Sequence, residues 1–104
     1  ATGTNVALLP VACMRPIQVM DNLALPERCD DARVAHVNEL LAGVVADYGR
    51  ADVVLLDGPS EWCEDEAIAT NEAYRWDGVH PWEPASQLIL DTISPQLLSL
   101  AATP

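Results

Sequence analysis

Two short apolar runs on either side of a helical pattern constrain the fold of this chain more than any other feature. The first run, Asn5 to Cys13 (NVALLPVAC), is continuous rather than alternating, and so is the second, Asp52 to Leu56 (DVVLL). Continuous runs of this length are typical of strands that are covered on both faces, as in a parallel sheet. Strands that alternate with helices predict an α/β layer architecture.

The segment between the two runs has the spacing of an amphipathic helix. Its apolar residues recur at helical intervals: Val34, Val37, Leu41, Val44, Val45 and Tyr48. Asp30 or Asp31 is suited to cap the N-terminus of this helix, and Gly49 to end it. A second helix is predicted after the start signal Pro81–Pro84, with Pro95 interrupting it. The segments 15–29 and 60–75 have no sustained period and are predicted to be loops.

A sheet of two parallel strands does not complete a domain, because both edges expose unpaired backbone groups. The 104 residues are enough for one small domain. We therefore expect further strands from another segment or from a second chain. The first residues run directly into the first apolar run, as if residues 1–104 had been cut from a longer sequence.

The charge of the chain excludes some classes of partner. Five basic residues against sixteen acidic ones give a net charge of −11. This charge opposes binding to nucleic acid and to anionic membrane surfaces, although it also serves simply to keep a protein soluble. The longest apolar stretch, Val6 to Met14, is interrupted by Pro10 and is too short to span a membrane.

The three cysteines indicate in which cellular compartment the chain resides. Cys13 and Cys29 flank a loop of turn-forming residues, and closing it would restrain the unfolded chain by about 3 kcal/mol. We predict a disulfide between them and an extracytoplasmic location, which leaves Cys63 to pair outside this segment. The alternative is three reduced cysteines in a cytosolic core.

Asp77 and His80 are the candidate catalytic residues. They stand three residues apart in a turn-forming segment, after the last predicted strand and before the C-terminal helix. An aspartate that accepts the Nδ1 proton of a histidine leaves Nε2 free to act as a general base toward a serine. The alternative is an Asp-Gly turn that merely starts a helix.

The block Arg75-Trp76-Asp77-Gly78-Val79-His80 resembles the last motif of SGNH hydrolases. The resemblance is greatest to the extracytoplasmic domains that actinobacteria fuse to membrane acyltransferases, where the block commonly reads R-x-D-G-V-H-F. Upstream, Asn5 to Pro10 resembles the family strand that leads into a Pro-containing loop. Asp31 to Leu41 resembles a D-x-R-x4-N-x-L-L helix, and Asp52 to Asp57 the following strand. Pro81 departs from the pattern, which usually has Phe there.

The resemblance implies a three-layer, flavodoxin-like α/β domain with a parallel sheet, of which only the C-terminal part is present. It also implies an esterase or O-acyltransferase that uses Asp77 and His80 and acts on acyl esters of cell-envelope glycans or lipids, with no cofactor. Any membrane tether would lie outside this segment. The expected partners are the acyl-ester substrate and the N-terminal half of the domain or a complementing chain.

The serine nucleophile of that family is missing. The chain contains neither the Gly-Asp-Ser block nor the Gly-x-Asn-Asp block that supplies oxyanion donors. Ser60 is the nearest candidate, but its Gly-Pro-Ser context is typical of a turn. Without a nucleophile and an oxyanion hole, a base has nothing to activate, so the segment alone is predicted to be inactive.

Other residues bear on a metal site, on a substrate pocket and on a function without catalysis. No metal site is expected, because the cysteines and histidines lack zinc spacing and the acidic run 64–66 lacks the spacing of a calcium loop. Trp76 and Trp82 bracket the candidate pair and are assigned to a substrate pocket, although ordinary packing also accounts for them. The alternative to the enzyme is a non-catalytic α/β interaction module in which the Asp-Gly turn is structural.

Overall fold

A computed structural model describes residues 3–17 and 26–102 of the chain. The elements in chain order are β1 (Val6–Leu8), a 3₁₀ turn (Pro26–Cys29), α1 (Asp31–Tyr48), β2 (Val53–Leu55), α2 (Glu61–Glu64), α3 (Glu66–Ala69) and α4 (Glu83–Ala101). The described part of the chain is therefore a mixed α/β structure with two strands and four α-helices. None of its helices is both long and apolar enough to cross a membrane.

The two strands form a small parallel sheet. Val6 is opposite Val53 and Leu8 is opposite Leu55. Hydrogen bonds continue the pairing beyond both ends, from Val6 N–H to Asp52 O (2.7 Å) and from Leu56 N–H to Leu8 O (2.8 Å). The predicted strand–helix–strand order is confirmed, since α1 connects the two strands. Both strands are shorter than the apolar runs that contain them.

Helix α1 begins and ends where its capping residues predict. The Asp30 side chain accepts hydrogen bonds from the N–H groups of Ala32 and Arg33, and Gly49 ends the helix with a φ of 66°. The predicted apolar face of α1 is only partly buried. Val37 and Val44 remain exposed, and so does Tyr48, because two strands offer only a narrow surface for a helix of this length.

The loop after β1 is held against α1 by one side chain. Asn38 accepts a hydrogen bond from Val11 N–H at 2.7 Å and donates one to Val11 O at 2.9 Å. A carboxamide can satisfy both backbone groups of one residue because it carries a donor and an acceptor side by side. This contact fixes the course of the chain as it leaves the sheet.

Helix α4 runs through Pro95, so the predicted interruption is wrong. Proline removes one N–H from the ladder and crowds the preceding turn, but tertiary contacts hold this helix on both sides of residue 95. Ile93 is buried. One turn further on, the Gln96 amide accepts from Asp57 N–H at 2.8 Å and donates to Asp57 O at 2.9 Å.

The acidic segment 60–75 is also more regular than predicted. It contains α2 and α3, and Asp65 caps α3 by accepting a hydrogen bond from Ala67 N–H at 3.0 Å. Trp62 of α2 and Ala69 of α3 are buried. These two buried side chains anchor short helices that the irregular spacing of apolar residues does not reveal.

The predicted disulfide between Cys13 and Cys29 is wrong. Cys13 is bonded to Cys63, with 5.8 Å between their Cα atoms and a sequence separation of 50 residues, and Cys29 is a free, exposed thiol. The physical reason is packing. Cys13 belongs to a buried cluster with Trp62, and Cys63 is the next residue along α2.

Candidate active site

The Asp77 carboxylate organises the turn that precedes α4. Its Oδ1 atom accepts hydrogen bonds from the backbone N–H groups of Val79 (2.9 Å) and His80 (2.7 Å). Its Oδ2 atom lies 2.6 Å from Nδ1 of His80. Both oxygens therefore act on the same short segment, and together they fix the backbone and the imidazole ring.

The protonation state of Asp77 decides which tautomer His80 adopts. Burial raises the pKa of Asp77, but the hydrogen bonds from the His80 N–H, the His80 ring and the Val79 N–H outweigh it and lower this pKa to about 2. An ionised carboxylate is an acceptor only. Nδ1 of His80 must therefore donate, which leaves the lone pair of Nε2 available in the neutral ring.

The His80 ring is accessible while its partner is covered. The exposed fraction of the side chain is 68% for His80 and 15% for Asp77. Trp76 stacks on the imidazole, with the ring centroids 6.0 Å apart and an interplanar angle of 18°. A shielded carboxylate behind an exposed imidazole is the arrangement that a general base requires, because the imidazole edge that bears Nε2 must meet the reacting group.

Gly78 lets the turn dock on the loop after β1. Its φ of 79° lies in the left-handed region, and a Cβ atom at this position would overlap the carbonyl group of Arg15. Two hydrogen bonds join the segments, from Arg15 N–H to Gly78 O (2.9 Å) and from Ile17 N–H to Asp77 O (3.0 Å). Glycine is therefore required here by both backbone conformation and space.

Arg75 is a residue of this region to which the sequence assigns no role. It is 2% exposed, and its guanidinium donates hydrogen bonds to the backbone oxygens of Cys13 and Ala69. Burial lowers the pKa of this guanidinium, the nearby Arg15 adds to the effect, and Asp77 opposes it. The signal in the sequence was an arginine at the start of the motif, but its partners are backbone atoms, which no residue pattern identifies.

The other predicted site residues are more dispersed. Trp82 is exposed at the start of α4, where its backbone N–H donates a hydrogen bond to Tyr74 O at 2.7 Å. Its side chain lines a shallow depression with Ala73 and Pro84. Trp76, by contrast, contacts His80 directly. Ser60 is exposed at the start of α2, and its side chain makes no capping hydrogen bond there.

An apolar groove lies beside the end of β1. Its volume is about 420 Å³, and its walls come from the loops after β1 and β2 and from α1, α2 and α4. The lining includes Leu9, Val11, Val34, Trp62, Ile89 and Ile93. Because Trp62 also packs against Arg75, the groove ends close to the residues that support the Asp77–His80 turn.

Comparison with known proteins gives no match. No family model, no curated protein and no solved structure matches this chain. Within the residues that the structure describes, no group of three or more histidine, cysteine or acidic side chains is placed to hold a metal ion.

Proposed function

We propose that this chain supplies the base and its orienting carboxylate to an SGNH-type serine esterase or O-acyltransferase. The observation that carries the proposal is the 2.6 Å contact between Asp77 Oδ2 and His80 Nδ1, with the imidazole exposed to solvent. The segment Arg75–His80 carries the resemblance to the last motif of that family. The Asp77–His80 contact thus lies within the segment that resembles the family motif.

The chemistry of the pair would be acyl transfer through a covalent intermediate. Nε2 of His80 would take the proton of a serine hydroxyl as its oxygen attacks the ester carbonyl. The same proton would pass to the leaving alkoxide, which departs as an alcohol and leaves an acyl-serine. Water or an acceptor alcohol would then attack the acyl-serine carbonyl while His80 takes its proton. His80 would return that proton to the serine oxygen as the acyl–serine bond breaks. Asp77 would stabilise the imidazolium in each step, and no cofactor is needed.

The serine would come from the N-terminal half of the same domain or from a complementing chain. In the described part of the chain the sheet has two strands in the order β1-β2, so one edge of β1 is unpaired there. A strand added in parallel along this edge would widen the sheet, as in a three-layer flavodoxin-like domain. Its carboxyl end would lie where the chain leaves β1 toward Arg15 and the turn, because parallel strands end at the same edge.

Substrate and compartment follow by the same reasoning. Trp76 offers a flat apolar surface next to His80, which suits the acyl part of an ester, and Trp82 would extend that surface. The Cys13–Cys63 disulfide favours an extracytoplasmic location, since such bonds persist in oxidising compartments. The resemblance to the SGNH family implies acyl esters of cell-envelope glycans or lipids as the substrates.

One observation favours a second candidate, a non-catalytic interaction module. The hydrogen bonds from Val79 and His80 to Asp77 Oδ1 are those of a structural turn. Such a turn needs an aspartate whether or not His80 reacts with anything. In that case the acidic surface and the exposed apolar residues of α1 would bind a partner protein.

The deciding experiment uses the complete product of the gene that encodes this segment. We would treat it with a fluorophosphonate, which labels serines activated by a histidine base, and locate the label by mass spectrometry. The expected label lies on a serine outside residues 1–104 and is lost in His80→Ala but kept in His36→Ala. A product without any reactive serine, or labelling that His80→Ala leaves unchanged, would reject the enzyme and favour the interaction module.

A further inference from the structure

Arg75 is the one charged residue that is buried among those the structure describes. A buried ion that lacks a carboxylate partner is costly, because desolvation is offset only by hydrogen bonds to neutral groups. Its Nε atom adds to this cost, since it is buried without a hydrogen-bond partner in the described part of the chain. An apolar side chain of similar size would fill the same space at lower cost. The position of this arginine therefore calls for an explanation other than stability.

The guanidinium joins the loop after β1, which is distant in sequence, to the neighbouring short helices α2 and α3. Nη1 donates to the carbonyl oxygen of Cys13 in the loop after β1, and Nη2 donates to Ala69 O at the end of α3 (2.7 Å). The face of the guanidinium lies over the Trp62 ring of α2, 4.5 Å from its centroid. Two hydrogen bonds and one stacked face fix the orientation of the group, a combination for which a planar, forked side chain is suited.

The backbone of the same residue closes the loop that carries the candidate pair. Arg75 forms an isolated antiparallel bridge with Pro81, and its carbonyl accepts a hydrogen bond from Gly78 N–H at 2.9 Å. The loop docks on Arg15 and Ile17, two and four residues beyond the Cys13 carbonyl that the guanidinium holds. Arg75 thus fixes both the turn and the surface on which the turn rests.

We propose that Arg75 is a positioning residue that holds the Asp77–His80 turn in register against the loop after β1. Its relevance to catalysis depends on the proposed function, whereas its effect on the turn does not. Without the guanidinium, the Cys13 carbonyl loses its donor and the two segments are free to shift. The Nδ1 contact of His80 would then loosen although neither member of the pair is changed.

The test compares Arg75→Met and Arg75→Lys with the wild-type chain. Methionine fills the apolar space without donors, and lysine keeps the charge but cannot bond both carbonyls in one plane. Arg33→Met is the matched control, because Arg33 is an exposed arginine on α1 that pairs with Asp30. Ring ¹⁵N spectra report which nitrogen of His80 carries the proton, and amide hydrogen exchange of Arg15 and Ile17 reports the docking of the turn.

In Arg75→Met we expect the Nδ1-protonated form of His80 to be lost and the Arg15 and Ile17 amides to exchange about 10-fold faster or more. The amides of α1 should keep their wild-type rates, which a general loss of stability would not allow. Arg75→Lys should fall between the two. Arg33→Met should match the wild type at every one of these positions.

Three outcomes would overturn the proposal. In the first, Arg75→Met folds and leaves both the His80 tautomer and the two amides unchanged. In the second, exchange rises equally throughout the chain, so that Arg75 only supports the fold as a whole. In the third, Arg75→Met does not fold and Arg75→Lys folds with an unaltered turn. A complete gene product that has no reactive serine would reject the proposed enzyme instead, and it would leave these measurements valid.

Discussion

Gly78 lies directly against the carbonyl group of Arg15, with no room between them for a side chain. The contact brings the Asp77–His80 turn onto the loop that follows β1, and the hydrogen bond from Arg15 N–H to Gly78 O (2.9 Å) holds it there. The glycine also has a φ of 79°, which other residues adopt at a cost. The position of the Asp77–His80 turn on this loop therefore depends on a residue that has no side chain.

Gly78→Ala should lower the free energy of unfolding by about 2–4 kcal/mol, since it adds a steric overlap to an unfavourable backbone conformation. Urea unfolding at neutral pH measures the change. Gly43→Ala is the control, because Gly43 lies inside α1 with open space around its missing Cβ. It should raise stability by up to about 1 kcal/mol. Equal effects of the two substitutions would mean that the turn does not dock as described.

The disulfide gives a second prediction with a matched control. Cys63→Ser should lower the free energy of unfolding by about 4 kcal/mol, the loop-entropy value for a bond that spans 50 residues. Cys29→Ser should change it little, because Cys29 is a free and exposed thiol. Peptide mapping without reduction should recover Cys13 joined to Cys63. Recovery of a Cys13–Cys29 peptide would contradict the structure.

Features that depend on neighbouring residues could be predicted from the sequence. Asp30 and Gly49 delimit α1 because capping is decided within one helical turn. The order of strand, helix and strand followed from local composition, and the Asp77–His80 spacing identified a turn whose hydrogen bonds are internal. In each case the residues that determine the feature are only a few positions apart.

Features that depend on distant contacts could not be predicted. Cys13 had two possible partners, Cys29 and Cys63. The choice depends on the packing of Cys13 against Trp62, which lies 49 residues away in the sequence. Helix α4 continues through Pro95 because Gln96 bonds to the backbone of Asp57. The role of Arg75 depends on two backbone carbonyl oxygens. Because every residue carries this group, the sequence does not identify which two are the partners.

Acid should weaken the fold through Asp77. Its pKa is about 2 in the folded chain against an ordinary value of 3.8. A carboxyl whose pKa falls on folding stabilises the fold above the unfolded value, and this contribution is lost as the pH falls through the folded value. The difference in stability between wild type and Asp77→Asn should therefore shrink between pH 4 and pH 2. A difference that stays constant over this range would mean that Asp77 titrates normally.

His80 and His36 should differ in their contribution to kcat once the nucleophile is present, in the complete gene product or with a complementing chain. His36 has a similar acid neighbour, since its Nδ1 lies 3.8 Å from a Glu39 carboxylate oxygen three residues away on α1. That pair lacks the two backbone hydrogen bonds that fix Asp77, and its contact is longer. Proximity of an acid is thus common to both histidines, and only His80 has a fixed tautomer.

His80→Ala should lower kcat by about 10⁴-fold to 10⁶-fold, because binding and oxyanion stabilisation alone would remain. Asp77→Asn should also be severe, since an amide favours the wrong imidazole tautomer. His36→Ala should leave kcat within about 2-fold, as expected for a residue that touches no reacting group. Steady-state hydrolysis of a short acyl ester, at equal folded concentration, measures all three. If His80→Ala kept most of the activity, the Asp77 contact would be structural, and the turn would serve to start α4 rather than to move a proton.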